Sequence, residues 1–62
     1  MVNRINIEFK DIVDALKQDI GLNIYKLSYK LGCSDGVIYR RIVENEYNGL
    51  TDLKEGIRNG DL

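Results

Sequence analysis

The side chains able to do chemistry lie close together. Between Asn23 and Val43 stand Lys26, Lys30, Arg40 and Arg41 against Asp35 alone, a local charge of +3, with Tyr25, Tyr29 and Tyr39 among them. Cations interleaved with aromatic hydroxyls suit the recognition of phosphates and base edges rather than bond making. Arg40 can give a bidentate pair of hydrogen bonds to a guanine edge or hold a phosphate. Tyr39 can touch a thymine methyl or a phosphate oxygen. Asp35 suits the first turn of a helix and could accept from a cytosine amine. Each also has a plain structural reading: Lys26, Lys30, Arg40 and Arg41 as solvated charges, Tyr39 as a packing residue.

Other chemistries lack their parts. The chain of 62 residues has no histidine and one cysteine, Cys33. A structural zinc site takes four Cys or His ligands, and nucleophilic triads need a histidine base, so neither a metal nor hydrolase chemistry is expected. The ten acidic residues are scattered and form no acid–base pair. No enzyme activity and no cofactor are expected. Cys33 reads as a small core residue. At this length the chain holds one small domain, spanning residues 1–62. No apolar run approaches the roughly 20 residues of a membrane span, and the start lacks the apolar stretch of a signal peptide, so a cytoplasmic location is expected.

The net charge is −1 with a pI near 5.2. Outside Asn23–Val43 there are five basic and nine acidic residues, a charge of −4. A positive face on an acidic body can still meet phosphate if that face is presented to it. The body should weaken non-specific binding.

The elements that must hold the basic set follow from periodicity and punctuation. Phe9, Ile12, Val13, Leu16 and Ile20 make one amphipathic stripe, giving a helix from about Ile7 to Asp19 with Asn6 as its cap. Ile5, Ile7 and Phe9 also alternate, which leaves a short N-terminal strand as the alternative. Asn23 caps a second helix carrying Ile24, Leu27, Ser28 and Leu31 inward, with Leu22 placed to staple on Leu27. Gly32 ends it. Ser34 caps a third helix, and Cys33 can staple to Ile38. At 100° per residue Ile38 and Ile42 point inward while Gly36, Tyr39, Arg40 and Val43 cluster on the other side. Gly36 allows close backbone approach, and the amides behind Ser34 could hold a phosphate. After a loop through Tyr47, Asn48 and Gly49, Thr51 should cap a last helix striped by Leu50, Leu53 and Ile57. Gly56 inside it costs about 1 kcal/mol against alanine, so that helix should be marginal. Residues 59–62 read as a loose tail.

Two short helices across one glycine turn, residues 24–43, form the helix-turn-helix pattern, whose second helix lies in the DNA major groove. The expected fold is all-α, a small four-helix domain. The stretch resembles the Cro/C1-type helix-turn-helix repressors of phages and their bacterial relatives. Leu31-Gly32 matches the hydrophobic-glycine turn, Ile38 the buried branched residue of the recognition helix, and Ile42 an apolar position of phage Cro proteins. The opening with Arg4-Ile5-Asn6 and Phe9 looks like their short lead-in. The likeness is close over 23–42 and loose from Glu8 to Ile57. It implies a λ-repressor/Cro-like fold, with Ser34, Asp35, Gly36, Tyr39 and Arg40 facing DNA and Tyr25 near a phosphate. Lys26, Lys30 and Arg41 are further phosphate candidates. Two departures stand out: Ser28 where alanine is usual, and Arg41 where an apolar residue is. The C-terminal part lacks both the Cro hairpin arm and the fifth helix of many C1 relatives.

The expected function is a sequence-specific regulator of transcription, a phage- or plasmid-type repressor binding double-stranded DNA. It would act as a homodimer through Tyr47, Leu50, Leu53 and Ile57. The competing reading is a protein-interaction module that binds a repressor, a polymerase or a defence protein. The acidic balance and exposed Tyr25, Tyr29 and Tyr39 favour it.

Overall fold

The computed structural model describes residues 7–62, which form four helices and, among the described residues, no strand. They are α1 (Phe9–Gln18), α2 (Ile24–Leu31), α3 (Asp35–Glu44) and α4 (Leu50–Arg58). The domain is all-α.

The stripes expected from the sequence make the core. Ile12, Val13, Ala15 and Leu16 of α1 meet Leu27 of α2, Ile38 and Ile42 of α3 and Leu53 of α4, joined by Ile7, Leu22 and Cys33. Seven of these are under 2% exposed, and among the described residues no polar or charged side chain is buried with them. Burial of one such large side chain is worth about 1.5–3 kcal/mol, so the packing outweighs the weak propensity of eight- to ten-residue helices.

The first helix begins later than its periodicity suggests, at Phe9 with Glu8 as its cap. The backbone N–H of Asp11 bonds to the carbonyl of Glu8 at 3.0 Å, not to that of Ile7. The Ile7 carbonyl instead accepts from Arg41 Nε at 2.9 Å. The expected cap Asn6, like Ile5 of the alternative strand and the lead-in residues Arg4-Ile5-Asn6, lies outside the described residues. In the α1–α2 turn Asp19 Oδ1 accepts from the Gly21 N–H at 3.0 Å.

The two caps around the central turn are present. Asn23 Oδ1 accepts from the Lys26 N–H at 2.8 Å, and Ser34 Oγ accepts from the Val37 N–H at 3.3 Å. Gly32 ends α2 in the left-handed region, at φ 70°. The N–H groups of Gly32 and Cys33 both reach back to the Ser28 carbonyl, at 2.9 and 3.1 Å. The hydroxyl of half-buried Ser28 donates to the Tyr25 carbonyl at 2.7 Å, so this serine faces the core at no loss of hydrogen bonding.

The last helix starts one residue before Thr51, which is not its cap. Leu53 N–H bonds to the Gly49 carbonyl at 3.0 Å, and Asp52 Oδ2 accepts from the Asn48 N–H at 3.1 Å, securing the turn in Thr51's stead. Nor is its glycine merely a weak point. A Cβ at Gly56 would stand 3.0 Å from Tyr47 Cε1 and 3.2 Å from its hydroxyl oxygen. The Tyr47 ring thus lies against the α4 backbone, and it stacks on Phe9 at 5.9 Å between centroids and 16° between planes.

The start of the expected loose tail closes α4 instead. Gly60, at φ 83°, donates to the Ile57 carbonyl at 3.1 Å while Asp61 donates to the Gly56 carbonyl at 2.9 Å, a Schellman motif. The same pair of bonds ends α3, from Glu46 to Val43 at 3.0 Å and from Tyr47 to Ile42 at 3.2 Å. Here Glu46, at φ 70°, occupies the left-handed position that glycine usually takes.

Candidate nucleic-acid interface

The α2–Gly32–α3 unit presents the basic and aromatic residues on its outer surface. Ile38 and Ile42 are completely buried and fix which way α3 faces. Ser34, Asp35, Gly36, Tyr39, Arg40 and Val43 are all exposed. The sequence-derived division of α3 into an inward isoleucine pair and an outward polar set therefore matches the burial pattern. Behind the Ser34 cap, the amides of Asp35 and Gly36 bond to no group among the described residues.

Gly36 has no structural reason to be glycine. A Cβ there would meet only Ser34 Oγ, at 3.9 Å, an ordinary contact in open space. Helix propensity would favour a larger residue by up to about 1 kcal/mol. Together with the exposure of Tyr39 and Arg40, this leaves a smooth N-terminal end to α3 with a donor-rich patch behind it.

Tyr39 combines both readings that its sequence position allows. Its ring edge rests near Gly49, where a Cβ would be 4.0 Å from Cε1, and its hydroxyl makes a long 3.5 Å bond to the Asn48 carbonyl. It is nevertheless 52% exposed. The loop before α4 thus steadies the ring without covering it. Arg40 is exposed and makes no ion pair or hydrogen bond among the described residues.

Arg41 departs from its expected role as a phosphate contact. Its Nε donates to the Ile7 carbonyl at 2.9 Å and its Nη1 pairs with Glu44 Oε1 at 2.9 Å, with only 27% of the side chain exposed. The guanidinium is turned onto the chain's own backbone, tying Ile7 to α3. The sequence carried a signal: three residues after the buried Ile38, Arg41 falls about 60° from it around the helix, on the side that faces the protein. The cations on this side without an ion pair among the described residues are therefore Lys26 and Lys30 of α2 and Arg40 of α3, with Asp35 opposing them.

Of the residues expected to carry a dimer, one is taken up by the core and three are taken up only in part. Leu53 is 0% exposed. Tyr47, Leu50 and Ile57 are partly buried against the same core. The stripe on the last helix helps to close the core of the described residues, and sequence periodicity does not distinguish that use from an interface.

Among the described residues no group of three His, Cys, Asp or Glu side chains could hold a metal ion, and no helix is long and apolar enough to cross a membrane. No family model, curated protein or solved structure matches the chain.

Proposed function

We propose that this chain is a sequence-specific DNA-binding regulator of transcription, a cytoplasmic repressor of the phage or plasmid kind. The reading draws most support from Gly36. It is an exposed helical glycine that nothing among the described residues requires, at the N-terminal end of a helix whose exposed face carries Tyr39 and Arg40. A helix entering the major groove is closest to the bases at its first turn, where a missing side chain admits the backbone. Arg40 then reads a base edge, Tyr39 a methyl or phosphate, and the amides behind Ser34 a phosphate. Asp35 accepts from a cytosine amine, and Tyr25, Lys26 and Lys30 on α2 hold the strand beside the groove.

Use as a homodimer belongs to the same proposal, since a pseudo-palindrome is read by two such helices about 34 Å apart. Leu53 is taken up by the core, so the pairing draws on the exposed parts of Tyr47, Leu50 and Ile57 or on another surface. With three cations unpaired among the described residues the salt dependence should be shallow, at about −0.9 in log K per phosphate neutralised.

Selection from a random duplex library tests this. The proposal expects an enriched palindrome whose enrichment collapses with Arg40→Ala. The second reading, a small module that binds a regulatory or defence protein, is favoured by Tyr25 and Tyr29, 72% and 88% exposed. It expects no enrichment at 50 mM salt, where phosphate contacts are strong, and a stable complex with a protein partner.

A further inference from the structure

The exposed half of α2 has a composition of its own. Laid out at 100° per residue, Ile24, Leu27, Ser28 and Leu31 occupy the core side, and the opposite side consists of Tyr25, Lys26, Tyr29 and Lys30 alone. All four are exposed, and neither lysine is ion-paired among the described residues. The helix has no acidic residue. Tyr25 and Tyr29 are one turn apart, so their Cβ atoms are about 5–6 Å from each other. Apart from Tyr39 and Val43 on α3 and Leu62 at the end of the chain, they are the exposed large hydrophobic residues of the described structure.

We infer that this face binds unpaired nucleotides, with Tyr25 and Tyr29 as stacking surfaces for two bases and Lys26 and Lys30 on the phosphates between them. Three features select this occupant. A second copy set symmetrically on the face would bring four lysines together, which opposes self-pairing. The face is the outside of a helix from which rings project, not a groove with a pocket for a partner's side chain, so it offers flat π surfaces rather than anchor sites. Flat surfaces beside cations are what single strands bind, because every base has a π face free once it is unpaired. In a duplex those faces are stacked on neighbouring bases, so this activity is distinct from reading a groove with α3.

The test uses the full chain and a fluorescein-labelled twelve-nucleotide oligo-dT, read by anisotropy. Controls are an abasic strand of the same length, a duplex, and a poly-glutamate peptide as competitor. Binding of oligo-dT with quenching of tyrosine fluorescence is expected, several-fold tighter than the abasic strand. Tyr29→Ser should weaken it at least fivefold, the low end of one lost base–ring stack, and Tyr29→Phe should retain it. Lys26→Gln and Lys30→Gln should each lower the salt slope by about 0.7. Circular dichroism checks that the exposed substitutions leave the helices intact. Equal binding of the abasic strand, an unchanged Tyr29→Ser, or equal competition by poly-glutamate overturns the inference, the last in favour of an acidic protein partner. Arg40→Ala keeps the two proposals apart: it should abolish duplex selection and leave oligo-dT binding unaltered.

Discussion

Replacing Gly36 with alanine separates what the fold wants from what the surface is for. The added methyl would lie 3.9 Å from Ser34 Oγ with no nearer neighbour outside its own helix. Nothing has to move, and the helix gains the propensity difference of up to about 1 kcal/mol, somewhat less in the first turn than in mid-helix. For a domain of this size 1 kcal/mol corresponds to about 4–8 °C in Tm. Thermal unfolding followed by circular dichroism should therefore show the variant more stable than the parent by a few degrees. On a duplex enriched by selection the same methyl occupies the point of closest approach. Overfilling a close-packed contact costs about 1–3 kcal/mol, or roughly 5- to 150-fold in Kd. Higher Tm with weaker binding is the expected pair. A more stable variant that binds as well as the parent would refute the role given to Gly36. A less stable one would refute the account of the space around it.

Gly56 should behave in the opposite way, because a methyl there presses on Tyr47 at 3.0 Å. Gly56→Ala is expected to destabilise the parent yet stabilise a Tyr47→Ala background by up to about 1 kcal/mol, a coupling that a double-mutant cycle in urea measures. Glu46→Gly should raise stability by about 1 kcal/mol in the same assay, since glycine enters φ 70° without a Cβ penalty. Arg41→Met should cost about 1–3 kcal/mol of stability by leaving the Ile7 carbonyl unsatisfied, with little change in duplex affinity at temperatures where the variant is folded.

The sequence made some parts of this molecule legible and hid others for definite reasons. The central turn was readable because each of its devices is local: Asn23 and Ser34 bond to amides three residues on, and Gly32 takes a left-handed φ that its residue type announces. The direction of α3 was readable because Ile38 and Ile42 recur at helical spacing. Three features required tertiary knowledge. Arg41 falls on the inward side of α3 by its spacing, but its partner, the carbonyl of Ile7 far back in the chain, could not be read. Leu53 looks like part of a spare stripe until it is found wholly buried in the core. Gly56 looks like a flaw until Tyr47 is found lying on it. Glu46 is a fourth case of another kind, a helix ending whose geometry is ordinary and whose residue type gives no hint of it.

The central claim is that α3, held by two buried isoleucines, offers its Ser34–Arg40 face to duplex DNA. Amide chemical-shift mapping by NMR, with a twenty-base-pair duplex added at 50 mM salt, tests this most directly, because phosphate-driven contact at low salt uses the same face whatever the base sequence. Shifts concentrated at Ser34, Asp35, Gly36, Tyr39 and Arg40, with weaker ones at Tyr25, Lys26 and Lys30, are the expected result. Shifts centred on α1 or α4, or none at all, would contradict the claim.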